Sequence, residues 1–413
     1  MKLFKTGSVG SCVILWAFFA AQAEDLAQNV RVIWSGNAQT EAIVVWDSAH
    51  TNEAFSLVYD TVPATNRTTG YTFEVPVHRS GPYIPGLDPD STEEFPSAPE
   101  NPDFFYHHAA ISNLTPGTVY YLAVKTGQEP GREYRFKTAP AEGQPCKLIY
   151  AGDSRTHLNV AQQISRNIQK MGVDDPSIVA VLHGGDYANR TLISEWKEWL
   201  DAYELTTTDD GKLMPIIPII GNHDSTGKSP IFGQAYGNPG GESYYYVLRL
   251  NSTVRILCLN TEIDTEGPQK QFIRDALTLM ELEGVTWRLA AFHKPVYPAI
   301  KGVTSAKKDW VPLFEDYQID LVLESDGHCI KRTVPIYREA PNAKLGVVYL
   351  GEGGYGAPQR EPRKDLWYLQ GDQAFAMKGD HVMLLEFKPH KILYSTILTN
   401  GDVVDSARFK SRR

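Results

Sequence analysis

Gly221-Asn222-His223-Asp224 follows the apolar run Ile216 to Ile220, and the reading of the whole chain turns on this stretch. Four other segments share its context. Gly152-Asp153-Ser154-Arg155 follows Leu148-Ile149-Tyr150, and Gly185-Asp186-Tyr187-Ala188-Asn189 follows Ile178 to Leu182. His293 follows Trp287 to Phe292, and Asp326-Gly327-His328 follows Leu321 to Leu323. Apolar runs rich in β-branched residues predict buried strands of an α/β sheet. The polar residues then all fall at carboxyl ends of strands, where such sheets place their ligands. One segment alone predicts no more than a turn, since Asn and Gly commonly follow a strand. Five in order make an oxygen-and-nitrogen set suited to a pair of divalent or trivalent metals.

Outward from that set, the amino terminus reads as a separate piece. Lys2 and Lys5 precede the apolar run Cys12 to Ala21, and Ala21-Gln22-Ala23 is a small-residue cleavage pattern. Residues 1–23 are therefore expected to be a secretory signal peptide. A membrane anchor is the alternative, but the run is shorter than the roughly 18–20 residues a span needs. The expected mature protein is exported, periplasmic or secreted, with no membrane span. Lys+Arg 40 against Asp+Glu 49 gives a net charge of −9 with no block of one sign. That balance argues against a nucleic-acid surface or a polybasic membrane patch. Cys146, Cys258 and Cys329 are too few for a disulfide framework and read as small core residues, with a single bridge left open.

Two domains fit the 413 residues. Residues 24–138 show short alternating strands, among them Val30 to Trp34, Ala42 to Trp46 and Ser56 to Tyr59, with turn residues between them. Gly81 to Asp103 is expected to be a long surface loop. Residues 139–145 form a Pro/Gly/Ala linker. From residue 146 strands and helices alternate. Asn159 to Met171 carries Val160, Ile164 and Ile168 on one face, and Ser194 to Leu205 lines up Trp196, Trp199, Leu200 and Tyr203 with Ser194 as an N-cap. Gln269 to Leu282 and Lys307 to Tyr317 are further helices.

The ordered motif set resembles that of the calcineurin-like metallophosphoesterases, and within them the purple acid phosphatase branch. Leu114-Thr115-Pro116-Gly117 leading into Tyr120 resembles the late strands of a fibronectin type III-like β-sandwich. The resemblance implies a four-layer αββα sandwich over 146–413, preceded by an all-β sandwich, with the site at the loops joining the two sheets. It implies that Asp153, Asp186, Asn189 and His328 hold one metal, and Asp186, Asn222, His293 and Asp326 the other, the ions being Fe, Mn, Zn or Mg. Asn189 stands where the family has a tyrosine, so the tyrosinate colour should be absent. The last segment admits two alignments. Without a gap, Asp326 and His328 fall on the two histidines of the family's Gly-His-x-His; the alternative leaves Ile330 as a lost ligand. The gapless reading is adopted because Asp326 is a competent ligand and Ile330 is not.

Around these residues His223 is the candidate acid, Asp224 a neighbour able to set its tautomer, and Arg155 a clamp for a phosphate oxygen. His157, Glu324, Arg190 and Arg332 read either as site residues or as ordinary surface and structural charges. His183 reads as a hydrogen-bonded core residue. The family's additional histidines after the His293 segment are missing, and Lys294 and Lys301 stand there instead. The implied activity is hydrolysis of a small phosphate ester by metal-activated water. A phosphodiesterase, a nucleotidase and a non-catalytic exported binding protein remain as alternatives.

Overall fold

The strands Cys146–Ala151, Ile178–His183 and Ile216–Pro218 run parallel, side by side, in a sheet that continues antiparallel into His381–Lys388, Lys391–Leu398 and Val403–Lys410. A second sheet places Val254–Cys258, Trp287–Phe292, Leu321–Glu324 and Val348–Gly351 in parallel register, with Tyr246–Arg249 at one edge. The computed structural model describes residues 26–49, 54–86, 103–225 and 229–413. The expected signal segment and most of the expected Gly81–Asp103 loop lie outside the described residues. No helix among the described residues is long and apolar enough to cross a membrane.

Four layers result. Leu148, Tyr150, Leu182 and Ile217 of the first sheet pack against Ile256, Leu289, Leu323 and Leu350 of the second in one buried cluster. The helices Leu158–Asp174 and Ile193–Glu204 cover the outer face of the first sheet through Ile164, Ile168, Trp196 and Trp199. Gly267–Leu282 and Ala306–Asp316 cover the second through Ile273, Leu277, Trp310 and Phe314. Each large side chain buried this way contributes about 1.5–3 kcal/mol. Ser194 is not an N-cap: the helix begins one residue earlier, behind Leu192, and no side chain caps it.

The β-sandwich grows out of the first sheet. Ile33 of Gln28–Ile33 pairs in parallel with Ile216, and Ala42–Ser48, Phe105–Ile111 and Arg79–Pro82 follow, making ten strands. Phe55–Asp60, Phe73–Pro76, Val119–Thr126 and Tyr134–Lys137 belong to the facing sheet. At its corner the backbone N–H of Thr115 donates to the Tyr120 hydroxyl at 2.9 Å. The start of the expected surface loop is ordered instead: Arg79–Pro82 is a strand and Tyr83 is fully buried. Its hydroxyl donates to Asp47 at 2.7 Å and accepts from Arg31 at 2.9 Å, which gives a loop residue a reason to be inside. Arg31 also donates to the carbonyl of Ala235 at 2.8 Å, tying the sandwich to the helix Ile231–Tyr236. Cys146, Cys258 and Cys329 are buried free thiols.

Candidate metal centre

Five parallel strands from the two sheets end at one place. Beyond Ala151 stands Asp153, beyond His183 stands Asp186, beyond Pro218 stands Asn222, beyond Phe292 stands His293, and beyond Glu324 stands Asp326. Asp153, Asp186, Asp326 and His328 all have positive φ, from +58° to +66°. Non-glycine residues rarely sit there, and such backbone persists where the surroundings over-determine it. The approach is close enough to require glycine opposite. A Cβ on Gly221 would lie 2.3 Å from Asp186 Oδ1, and one on Gly353 would lie 1.8 Å from Asp153 Oδ2. The glycine-rich 351–356 loop therefore forms the floor beneath Asp153.

The two imidazoles are held alike. His293 Nδ1 donates to the Gly184 carbonyl at 2.8 Å, and His328 Nδ1 to the Pro358 carbonyl at 3.1 Å. Each ring thus presents Nε2 inward, the arrangement that fixes a ligating tautomer. His293 Nε2 lies 3.2 Å from Asp186 Oδ1, 3.2 Å from Asn222 Oδ1 and 3.6 Å from Asp326 Oδ1. His328 Nε2 lies 3.2 Å from Asp153 Oδ1. Although so near, that carboxylate oxygen is buried and accepts no hydrogen bond. Arg155 closes the group, with Nε 3.2 Å from Asp186 Oδ2, Nη1 3.0 Å from Asn189 Oδ1 and Nη2 3.4 Å from His328 Nε2. Six of the seven residues expected as ligands are in contact with one another, and Asn189, exposed, joins them through Arg155.

The electrostatics call for positive charge. Asp153, Asp186 and Asp326 are buried together. Burial works to lower the His293 imidazole, yet Asp186 and Asp326 beside it raise it well above its ordinary value. Arg155 on Asp186 and Lys301 on Asp326 supply part of that positive charge, and the cluster of carboxylates suits a further cation. Asp153, Asp186 and His293 each offer a ligand atom within 4.8 Å of one another. With the orphaned Asp153 oxygen, the donor set fits a metal of oxygen and nitrogen preference.

The surrounding residues differ from expectation in several places. Asp224 does not orient His223. Its carboxylate is fully buried and accepts from the backbone N–H groups of Asp186 (2.8 Å), Tyr187 (3.0 Å) and Gly221 (2.8 Å), so it shapes the loops. His223 Nδ1 instead donates to the Asn189 carbonyl at 2.6 Å, which leaves Nε2 3.9 Å from Asp186 Oδ2 at the mouth of the site. Arg155, expected to face a phosphate, is turned onto the ligand side chains. Arg190 pairs with Glu195, and Arg332 pairs with Asp405. His183 is buried and bonded to Ser154, as expected of a core histidine. His157 precedes the helix Leu158–Asp174, exposed at its start. Ile330 is fully buried in the inter-sheet core.

Sequence reasoning missed two features. Lys301 Nζ forms an ion pair with Asp326 Oδ1. Beneath the site, fully buried Lys331 bridges Glu324 at 2.5 Å and Glu352 at 2.6 Å. Burial pushes the Glu352 carboxyl up to about 7 against the pull of Lys331. A charged Lys inside a strand is the only local signal for this triad.

Comparison with known proteins fits this geometry. Residues 154–329 match the calcineurin-like phosphoesterase family model, and residues 27–138 match that of the purple acid phosphatase N-terminal domain. The chain carries a calcineurin-like phosphoesterase domain behind a purple acid phosphatase N-terminal domain. Its fold is similar to a purple acid phosphatase from yellow lupin seeds, with a TM-score of 0.76 and 18% identity over 94% of this chain and 74% of that one. Two uncharacterized proteins of Mycobacterium tuberculosis are each 26% identical over 290 residues, 59% of this chain and 54% of theirs. Purple acid phosphatase 15 of Arabidopsis thaliana is 22% identical over 295 residues, 60% of this chain and 53% of its own. The chain thus aligns with about half the length of the curated relatives it matches. In fold it is purple acid phosphatase-like, an N-terminal β-sandwich joined to a mixed α/β phosphoesterase domain.

Proposed function

We propose that this phosphoesterase-type chain is an exported hydrolase of small phosphate esters that uses two metal ions. Asp153, Asp186, Asn189 and His328 would hold one ion, and Asp186, Asn222, His293 and Asp326 the other. The observation that carries the reading is the buried carboxylate cluster at five strand ends, with two inward Nε2 atoms and an oxygen of Asp153 lacking a hydrogen bond. When bound, the metals activate water and offset the charge that builds on the phosphoryl oxygens.

The chain's own residues do the rest. Asp186, between the two halves, positions both, and its backbone is fixed by Asp224. His223, with Nδ1–H committed to a carbonyl, would as the imidazolium carry a second proton on Nε2 and hand that proton to the leaving oxygen, reverting to the neutral ring. Arg155 is near enough to turn its planar fork from the ligands to a phosphate oxygen. Beside Arg155 and Asn189 opens a cavity of about 250 Å³, lined also by Thr156, Glu198 and Trp199. It suits the leaving group of a small monoester. Export rests on the signal-like residues 1–23.

Rates on an aryl phosphate monoester and the matching diester, after reconstitution with Mn²⁺, Zn²⁺ or Fe, test this reading. Chelator-sensitive monoester turnover is expected, reduced about 10²–10⁴-fold in His223→Ala. Turnover of the diester alone would move the assignment to phosphodiesterases.

A further inference from the structure

The proposed chemistry gives Lys301, paired with Asp326, no task. We propose that Lys301 is a resident cation of the Asp326 half of the site, which competes with the metal there and sets how tightly that ion is held. This rests on the two-metal reading above.

The juxtaposition is specific. Lys301 Nζ is bonded to Asp326 Oδ1, the oxygen that faces His293 Nε2 at 3.6 Å. His293 Nε2 in turn meets Asn222 Oδ1 and Asp186 Oδ1 at 3.2 Å each. An ammonium and a metal bound there would share one carboxylate oxygen. Two cations on one oxygen stand a few Å apart, and at a buried carboxylate water screens their repulsion only in part. Arg155 addresses the other half through Asn189 and His328, and touches the shared Asp186. The effect of Lys301 is therefore confined to one of two binding events.

The fold delivers Lys301 to this position. The loop after His293 is pinned where Val296 N–H donates to Glu324 Oε1 and Ala299 N–H to Glu352 Oε1, each at 2.7 Å. Lys331 Nζ holds the Tyr297 carbonyl at 2.7 Å and both glutamates as well. The last anchor lies two residues before Lys301, so its stem starts from a fixed point. The side chain itself is 37% exposed. It can withdraw into solvent when the metal enters, and the lost ion pair subtracts from the metal's affinity. The buried triad thereby acts as the positioning frame of a tuning residue.

Calorimetric titration of the chelator-stripped full chain with Mn²⁺ and with Zn²⁺ tests the proposal. Wild type should show two events. Lys301→Met should tighten one of them by roughly ten-fold or more, the order expected when a like charge about 4 Å away is removed. Lys301→Arg, which keeps the charge, should track wild type, and Asp326→Ala should abolish the event that Lys301→Met tightens. Lys301→Gln repeats the neutral substitution should the Met variant fail to fold by circular dichroism. Two events with unchanged or weaker affinity in both neutral variants would overturn the role of Lys301 and leave the metal reading standing. A folded wild-type chain that takes up no metal would overturn both.

Discussion

The guanidinium of Arg155 donates to Oδ1 of Asn189 at 3.0 Å and so reaches the position at which the purple acid phosphatase resemblance places a tyrosine. An amide oxygen there can coordinate or accept a hydrogen bond, but it cannot become a phenolate. The nearest phenol in sequence points elsewhere. Tyr187 is buried on the helix side of the first sheet, its ring 4.0 Å from that of His183 and 4.7 Å from that of Tyr236. Burial raises its phenol well above the ordinary value.

Iron-loaded protein should accordingly lack a phenolate charge-transfer band in its visible spectrum. Asn189→Tyr should introduce one if Asn189 belongs to the metal shell. A strong band in wild type that survives Asn189→Ala would place another phenol on the metal.

Asp326 and Ile330 should behave oppositely. Asp326 is buried with its carboxylate facing His293, while Ile330 packs between the sheets beside the second sheet's apolar residues. Asp326→Ala should lose about one metal equivalent by elemental analysis and retain its melting temperature within a few degrees. Ile330→Ala should keep both equivalents and lose about 2–5 kcal/mol of stability, the cost of truncating a buried aliphatic side chain. Full metal content in Asp326→Ala would favour the gapped alignment.

This contrast shows what was legible in the sequence. Metal-binding side chains come from few residue types, and the apolar runs before Asp153, Asp186, Asn222, His293 and Asp326 mark strand ends, so the cluster could be read from local patterns. Pairings between distant segments could not. Nothing near Gln28–Ile33 announces that Ile33 lies against Ile216, joining the sandwich to the first sheet. Nothing near Lys301 announces Asp326, and Asp224 looked like a partner for its neighbour His223 because sequence hides that its oxygens serve three backbone N–H groups. Nothing near Tyr83 announces its burial, because its partners Arg31 and Asp47 lie far upstream.

Acid should weaken the sandwich. His107 and His108 on the strand Phe105–Ile111 are buried, His107 bonded to Ser48 at 2.8 Å and His108 to the Gln234 carbonyl at 2.7 Å. Burial lowers His107 to about 4; burial, helped by the charges of Arg31 and Arg79, lowers His108 to about 3. In the unfolded chain both titrate near 6.5. Between these values the unfolded state binds more protons, so stability is full above about pH 6.5 and falls as pH drops toward 4. The slope is about 1.4 kcal/mol per pH unit for each group. Denaturant midpoints across that window should show it, and His108→Gln should flatten the slope by about one proton. An unchanged slope in that variant would mean His108 is already charged in the folded protein.

The central claim is that the cluster at the strand ends is a two-metal centre for phosphate ester hydrolysis, with Asp186 shared by both ions. Metal stoichiometry and monoester turnover, measured side by side in wild type and Asp186→Ala, test it most directly. Two equivalents and chelator-sensitive turnover are expected in wild type, with both ions weakened and turnover lost in a still-folded Asp186→Ala. Two tightly held equivalents in that variant, or a metal-loaded wild type that hydrolyses no phosphate ester, would contradict it.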